Sequence, residues 1–209
     1  YKKGDSRNHF LAYATQGFFF EQFSFSLGGQ YNHSNKFGDI WTWGADLSYN
    51  LFKNIRPFAS VNRSFRLPTF TDLYYQGPTN IGNPNLKAEY ATTYESGLKL
   101  NQNILRVEIA LFYRQGTDII DWVKPANETV WTTVNYTKLN SWGANVNFSV
   151  NTKNLNIYTD RITLSYAFTE SEKGKSELDS YYVLDYLRHC LTLSSQHTFK
   201  NLFLNWTIR

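Results

Sequence analysis

From Leu105 to Tyr113 every second residue is apolar (Leu105, Val107, Ile109, Leu111, Tyr113), while the alternate set runs Arg106, Glu108, Ala110, Phe112 and Arg114. Period two of this strictness places the two sets on opposite faces of an extended chain, whereas a helix would mix them. Three more runs repeat it. Trp41, Trp43, Ala45, Leu47 and Tyr49 oppose Thr42, Gly44, Asp46, Ser48 and Asn50; Trp142, Ala144, Val146, Phe148 and Val150 oppose Ser141, Gly143, Asn145, Asn147 and Ser149; and Ile162, Leu164, Tyr166 and Phe168 oppose Arg161, Thr163, Ser165 and Ala167. Phe23 to Tyr31, Tyr90 to Leu100 and Leu202 to Ile208 alternate less cleanly, and Phe10 to Phe20 and Tyr181 to Ser195 are mixed. The pattern predicts an all-β chain of about ten strands.

Tight Asn/Lys turns stand at Lys53-Asn54, Asn101-Gln102-Asn103, Thr152-Lys153-Asn154 and Lys200-Asn201. Between them fall longer connections, read near Asn32 to Asp39, Leu67 to Glu89, Gln115 to Asn135 and Glu170 to Ser180. Short turns alternating with long loops are the organisation of an antiparallel up-and-down transmembrane β-barrel, with turns on one rim and loops on the other. Strands of about ten residues match a tilted bilayer crossing and exceed the usual length in soluble sheets. Trp41, Trp43, Tyr113, Trp142, Tyr166 and Trp206, near strand ends, fit interfacial aromatic girdles. A soluble β-sandwich or solenoid is the alternative, its apolar face packed on a second sheet.

Composition narrows the functional classes. No apolar run approaches the length of a spanning helix, and the mean hydropathy of -0.47 agrees with a barrel whose alternate residues face a wet lumen. The net charge of +4 is dispersed without a basic block, so nucleic acid is not an expected partner. A single cysteine, Cys190, excludes an intramolecular disulfide framework. No methionine is present, and the expectation is a processed product or a fragment with no signal peptide to read.

Catalysis, metals and cofactors are not expected. Gly-x-Ser-x-Gly is missing, and none of His9, His33, His189 and His197 lies at metal-ligand spacing from another His or Cys except the adjacent His189-Cys190, whose side chains would point to opposite faces. Ser194 or Ser195 with His197 does not make a convincing lipid-facing hydrolase pair. Asp118 and Asp121 read as solvated loop carboxylates, with calcium binding as the minor alternative. The sequons at Asn127 and Asn135 would matter only in a eukaryotic secretory protein.

Ser64 to Glu89, SFRLPTFTDLYYQGPTNIGNPNLKAE, is far longer than a hairpin needs. Its Gly, Asn and Pro residues mark an ordered loop, and Phe65, Phe70, Leu73, Tyr74 and Tyr75 give it apolar groups to pack. The segment Ser64 to Tyr75, then Gly82-Asn83-Pro84-Asn85-Leu86-Lys87-Ala88-Glu89 and Tyr94-Glu95-Ser96-Gly97, resembles the barrel signature of TonB-dependent outer-membrane receptors. Most members have Pro where Ala88 stands. Ile119 to Val123, Asn135 and Tyr182 to His189 look like the cobalamin-receptor branch found in Bacteroidetes.

The resemblance covers nearly the whole chain and implies a partial barrel from a parent of roughly 22 strands. Residues 1 to 209 would be a C-terminal-half piece lacking the plug domain and the last few strands, which would not transport by itself. It implies a Gram-negative outer-membrane location and uptake of a large scarce nutrient, cobalamin first, with haem or a ferric siderophore as the alternative. Haem would call for an extracellular His, and His33 is the only loop His in this reading. Implied partners are the TonB–ExbB–ExbD complex through the plug, outer-membrane lipid and lipopolysaccharide, a surface lipoprotein that captures ligand, and the nutrient. A secreted β-rich adhesin or carbohydrate-binding module is the reading from a different class.

Within such a receptor, Tyr74, Tyr75, Trp122 and Trp131 offer flat contact to a corrin or porphyrin ring, and Asp72, Asn80, Asn83 and Arg66 can bond amides or carboxylates. Arg66, Pro68, Gly82, Asn83, Pro84 and Glu89 are expected to hold loop shape, Arg66 by an ion pair with Asp72 or Glu89.

Overall fold

The computed structural model describes residues 6–152, 159–173, 178–181 and 187–209. Among them, twelve antiparallel or edge-paired strands form a single sheet. They are β1 (His9–Phe19), β2 (Phe23–Ser34), β3 (Gly38–Tyr49), β4 (Ile55–Arg66), β5 (Asn80–Ile81), β6 (Glu89–Asn101), β7 (Leu105–Pro125), β8 (Trp131–Asn151), β9 (Arg161–Lys173), β10 (Leu178–Ser180), β11 (His189–Phe199) and β12 (Leu202–Ile208). One short helix, α1 (Phe70–Tyr74), interrupts the β4–β6 connection. The wall is a meander, β1-β2-β3-β4-β6-β7-β8-β9-β11-β12, with β5 and β10 off the path. The path has ten strands, as the alternation predicts, and every neighbouring pair is antiparallel.

Register carries the alternation from strand to strand. Tyr94 pairs with Tyr113 and Tyr113 with Trp142, so the three rings share one face and form an aromatic row. Leu98, Ile109 and Val146 form another row on that face, nearer the tight turns. Leu98, Leu111, Trp41, Leu164 and Leu204 are each at least two-fifths exposed. An apolar surface of this extent needs a non-aqueous neighbour, which membrane lipid supplies to a barrel wall.

The opposite face is polar and cross-linked. Ser24 and Ser48 share a 2.8 Å hydrogen bond, and the Arg56 guanidinium donates to both. Ser26 donates to Asp46, and Lys99 lies 3.6 Å from Glu108 and 4.6 Å from the Phe58 ring centre. Phe58 itself covers Gly97, its cross-strand partner. A Cβ there would stand 2.2 Å from the Ile109 carbonyl oxygen and 2.7 Å from Phe58, so only glycine lets the strands approach this closely.

Several expected loops are strand. The connection read near Asn32 to Asp39 is a tip of three residues, because β2 runs to Ser34 and β3 starts at Gly38. Gln115 to Asn135 is the far end of β7 and the start of β8, two strands of 21 residues. Asp118 and Asp121 therefore lie in a strand, and Asp121 is buried, not a solvated loop carboxylate. Glu170 to Lys173 continues β9, and β10 occupies part of the same connection. A further tight turn at Phe20 to Gln22 joins β1 to β2, with Phe20 N–H donating to the Phe23 carbonyl. The turn read at Thr152 to Asn154 and the motif from Tyr182 to His189 lie largely outside the described residues.

Candidate functional site

The β7–β8 hairpin stands beyond the first residues of β6, since Tyr90, near the start of β6, pairs with Thr117. Each of its free edges takes a strand from a neighbouring connection. β5 pairs in parallel with β8, Asn80 opposite Trp131, and the Trp131 amide donates to the Thr79 carbonyl at 2.8 Å. β10 pairs antiparallel with β7, Asp179 opposite Lys124, and the Tyr181 amide donates to the Trp122 carbonyl. Both strands cross over. β5 arises beside β7 yet binds the β8 edge, and β10 arises beside β8 yet binds the β7 edge.

The crossing of the β4–β6 connection is held by a small core and by polar clamps. Thr69 caps α1, accepting from the Asp72 amide while the Asp72 carboxylate accepts from the Thr69 amide, a reciprocal arrangement that satisfies two free helix donors. Leu73, Leu86 and Ile120 form a buried cluster, with Phe37 and Tyr74 against it. Thr133, fully buried, donates its hydroxyl to the Asp72 carbonyl at 2.7 Å, and Asn83 donates to the Thr133 carbonyl. Asn135 accepts from the Lys87 amide and donates to the Lys87 and Asp118 carbonyls.

The shape-holding residues occupy these joints. Arg66 grips Glu89 through two hydrogen bonds, of 2.7 and 2.9 Å, and stands 3.6 Å from Asp72, so it meets both expected carboxylates. Glu89 also accepts from the Ile120 amide. Pro68 is buried, its carbonyl taking a hydrogen bond from Arg7. Gly82 lies against the backbone of α1, where a Cβ would come within 2.9 Å of the Asp72 carbonyl oxygen and the Tyr74 nitrogen. Asn83 accepts from the Asn85 amide across Pro84, a side-chain turn that bends the chain.

On the crossed loops lies a cleft of about 510 Å³, lined by Thr71, Tyr75, Thr79, Asn80, Trp122, Thr129, Trp131 and Tyr181. Four rings and a set of small polar groups suit a large ligand with an apolar plane and a polar rim. The rings brace one another: Tyr75 meets Trp122 edge to face at 6.3 Å, Trp131 meets Tyr181 likewise at 5.2 Å, and the Lys124 ammonium sits 5.2 Å from the Trp131 ring centre. Lys124 is fixed by Asp179 at 3.2 Å.

Of the eight contact candidates, Tyr75, Trp122, Trp131 and Asn80 line this cleft, while Arg66 and Asn83 serve the joints just described. Tyr74 turns away, packing on Phe70 and bonding Lys36, and Asp72 is engaged in the helix cap and with Arg66. Adjacent in sequence, Tyr74 and Tyr75 diverge because α1 ends between them, and Tyr75 is already extended. Tyr181 and the threonines were not foreseen. Tyr181 stands just before the family-like stretch Tyr182 to His189 and opens a run of mixed alternation, and a lone threonine carries no signal.

Two other groups bear on the sequence reading. Ser195 Oγ does lie 3.0 Å from His197 Nε2, but Trp206 Nε1–H also donates to that nitrogen and Ser195 is buried, so the hydroxyl is not presented to open space. His33 belongs to the end of β2, where its Nδ1 meets Asp39 at 2.7 Å and Tyr31 donates to the same oxygen. His33 and Asp39 pair on the face that carries Tyr31 and Trp41, the outward one. Among the described residues no group of three or more His, Cys, Asp and Glu is placed to hold a metal.

A lipid-facing, polar-lumened meander with its loops gathered over one rim defines an outer-membrane β-barrel. The chain belongs to the TonB dependent receptor-like, beta-barrel family, whose model matches residues 1–209, and is with it an outer-membrane protein of the Gram-negative type. It is 31% identical over 99 residues to the vitamin B12 transporter BtuB of Vibrio vulnificus, covering 47% of this chain and 16% of the relative. To the vitamin B12 transporter BtuB of Photobacterium profundum it is 27% identical over 118 residues, 56% of this chain and 19% of the relative. The matched stretches thus span under a fifth of these relatives. Similar folds occur in the siderophore receptor PirA of Acinetobacter baumannii (TM-score 0.70, 14% identity, 99% of this chain and 34% of that one). The siderophore receptor PirA of Pseudomonas aeruginosa is comparable (TM-score 0.66, 16% identity, 93% and 40%).

Proposed function

We propose that the protein is part of a TonB-dependent transporter that takes cobalamin through the outer membrane. The observation that carries this reading is the cleft of Tyr75, Trp122, Trp131 and Tyr181 with Asn80 at its edge. A corrin offers flat apolar faces to such rings and a periphery of amides to Asn80 and the threonine hydroxyls. The two vitamin B12 transporters among its sequence relatives support the ligand choice. The barrel and loops bind and guide, and the energy for release comes from the TonB–ExbB–ExbD complex acting on a plug.

The test is titration of the full-length receptor with cyanocobalamin, followed by tryptophan fluorescence. Trp131→Ala and Trp122→Ala should each weaken binding roughly tenfold, about 1.4 kcal/mol, a usual loss for a stacked aromatic anchor. Saturable binding of a ferric siderophore with none of cobalamin would overturn the ligand. Haem has one observation in its favour: the Asp39 carboxylate on Nδ1 leaves His33 Nε2 directed outward, the tautomer that ligates metals. That nitrogen lies on the outward face, away from the lumen, and His33→Ala should leave uptake unchanged.

A further inference from the structure

We infer that the lumen face of β2, β3 and β4 carries a second binding site, below the rim cleft, that takes the amide groups of the nutrient on its way down the barrel. The inference rests on the reading of the protein as a cobalamin transporter. Its first support is that lumen-facing glycines are used in two ways. Gly97 and Gly143 are each roofed by a ring: a Cβ would stand 2.7 Å from Phe58 at the first and 2.7 Å from Phe112 at the second. Gly28 and Gly44, which face each other across β2 and β3, have no such cover. A Cβ on Gly28 would meet nothing nearer than Thr15 Oγ1 at 3.4 Å, and one on Gly44 would meet the far end of the Asn62 side chain. Glycine weakens a strand and marks a bulge or a close approach by a ligand or another backbone. β2 and β3 pair from end to end without a bulge, which leaves the approach.

The open glycines floor a recess of about 280 Å³ with Thr15, Gln30, Thr42 and Asn62 around it and Asp46 at its lower end. A second recess, of about 390 Å³, shares Ser26 and Asp46 with the first and continues past Ser48 to Arg56, toward the tight turns. Together they form a lane of hydroxyls and amides down the wall. At its head Asn32 is 1% exposed, and its Nδ2 has no hydrogen-bond partner. The same side chain accepts from Gln30 Nε2 at 3.0 Å, and Gln30 lines the recess, so the unused donor sits beside the lane. A buried donor left unmade is costly and calls for an acceptor. Lower down, among the described residues, Asp46 accepts only from Ser26, at 3.1 Å, and meets no cation. A donor at the head and an acceptor below match the carbonyl and the amino group of a carboxamide. Hydroxyl contacts in series hold a passing ligand without trapping it. The lumen face of β6 and β7 is less open, because Phe58, Phe112 and the Lys99–Glu108 pair stand across it.

The experiment uses the full-length receptor in cells, with radiolabelled cyanocobalamin bound at the surface in the presence of an uncoupler and taken up in its absence. Gly28→Phe fills the floor and should leave surface binding within about twofold of wild type while lowering the uptake rate roughly tenfold. Asn32→Leu, which keeps the volume and removes the donor, should lower uptake roughly threefold. Asn147→Phe adds the same bulk to the exposed lumen face of β8, opposite Glu108, and should change neither. Uptake by Gly28→Phe equal to wild type, or an equal loss in Asn147→Phe, would overturn the inference. So would a rise in vancomycin sensitivity in Gly28→Phe: an antibiotic of that size enters when a plug has lost its seat, and the glycines would then serve the plug. If wild type binds no cyanocobalamin, the ligand reading fails and the lane is judged without it. In energised cells, with Cys190→Ser removing the native thiol, a thiol reagent added outside should label Gly28→Cys faster than Asn147→Cys, and equal or slower labelling refutes the lane. If Gly28→Phe does not fold, as judged by heat-modifiable gel mobility, Ser26→Phe, one row lower on the same face, takes its place with the same expected results.

Discussion

Thr133 shows how much one hydroxyl can decide. It is fully buried and donates to the Asp72 carbonyl, tying β8 to α1. Thr133→Val keeps the shape and leaves that carbonyl without its donor, a loss of about 1–3 kcal/mol; limited proteolysis should cut the Leu67 to Ala88 connection faster while the wall stays intact. At the β2–β3 tip, Asp39 is held below its ordinary carboxylate value near 3.8, first by the hydrogen bond with His33 and then by that from Tyr31. A depressed carboxylate stabilises the folded form above its unfolded value and loses that contribution as the pH falls through the folded one. His33→Ala should therefore raise the Asp39 value toward the ordinary one, visible in carboxyl-carbon chemical shifts. Residue types alone pointed to aromatic and amide contact groups, and Tyr75, Trp122, Trp131 and Asn80 do meet at one cleft. What they could not convey is direction, which for Tyr74 and Tyr75 is set by where a five-residue helix stops.

Among the elements, the β7–β8 extension has the least visible signature. Beyond Thr117 its residues no longer alternate, because both edges are paired and the buried set includes Ile120, Asp121, Trp122 and Val123 in succession. Period two reports a sheet with one wet face, so a hairpin wrapped by neighbouring segments reads as a loop. Pro125 and Asn127 at its tip strengthen that impression. The helix was hidden for another reason: five residues are too few for a period of 3.6 to show, although Thr69 and Asp72 stand at capping spacing. The crossed pairing can be trapped. Lys124→Cys with Asp179→Cys replaces a register pair and its ion pair, and oxidation should give a reducible bond between the two peptides by mass spectrometry. No bond above the yield of a Lys124→Cys, Glu172→Cys control would refute the β10–β7 register.

For the molecule as a whole, alternation predicts where each solvent lies. Spin labels placed one at a time along β7 from position 108 to 113 should show oxygen accessibility high at 109, 111 and 113 and a water-soluble nickel reagent favoured at 108, 110 and 112, since Ile109, Leu111 and Tyr113 are the exposed apolar set. A flat profile would contradict a wall between lipid and a wet lumen. The crossing of the two rim segments also has a consequence in time. β10 follows β7 by more than half a hundred residues and has to pass beside β8 before it can add to the β7 edge. The edge it needs exists only once the hairpin has zipped to its tip, and contacts that close such long stretches form late. The cleft should therefore take shape after the hairpin that it crosses: a chain still threading into the membrane would have strands before it had a place for ligand, an order that pulse-labelling hydrogen exchange at Tyr181 and Trp131 checks.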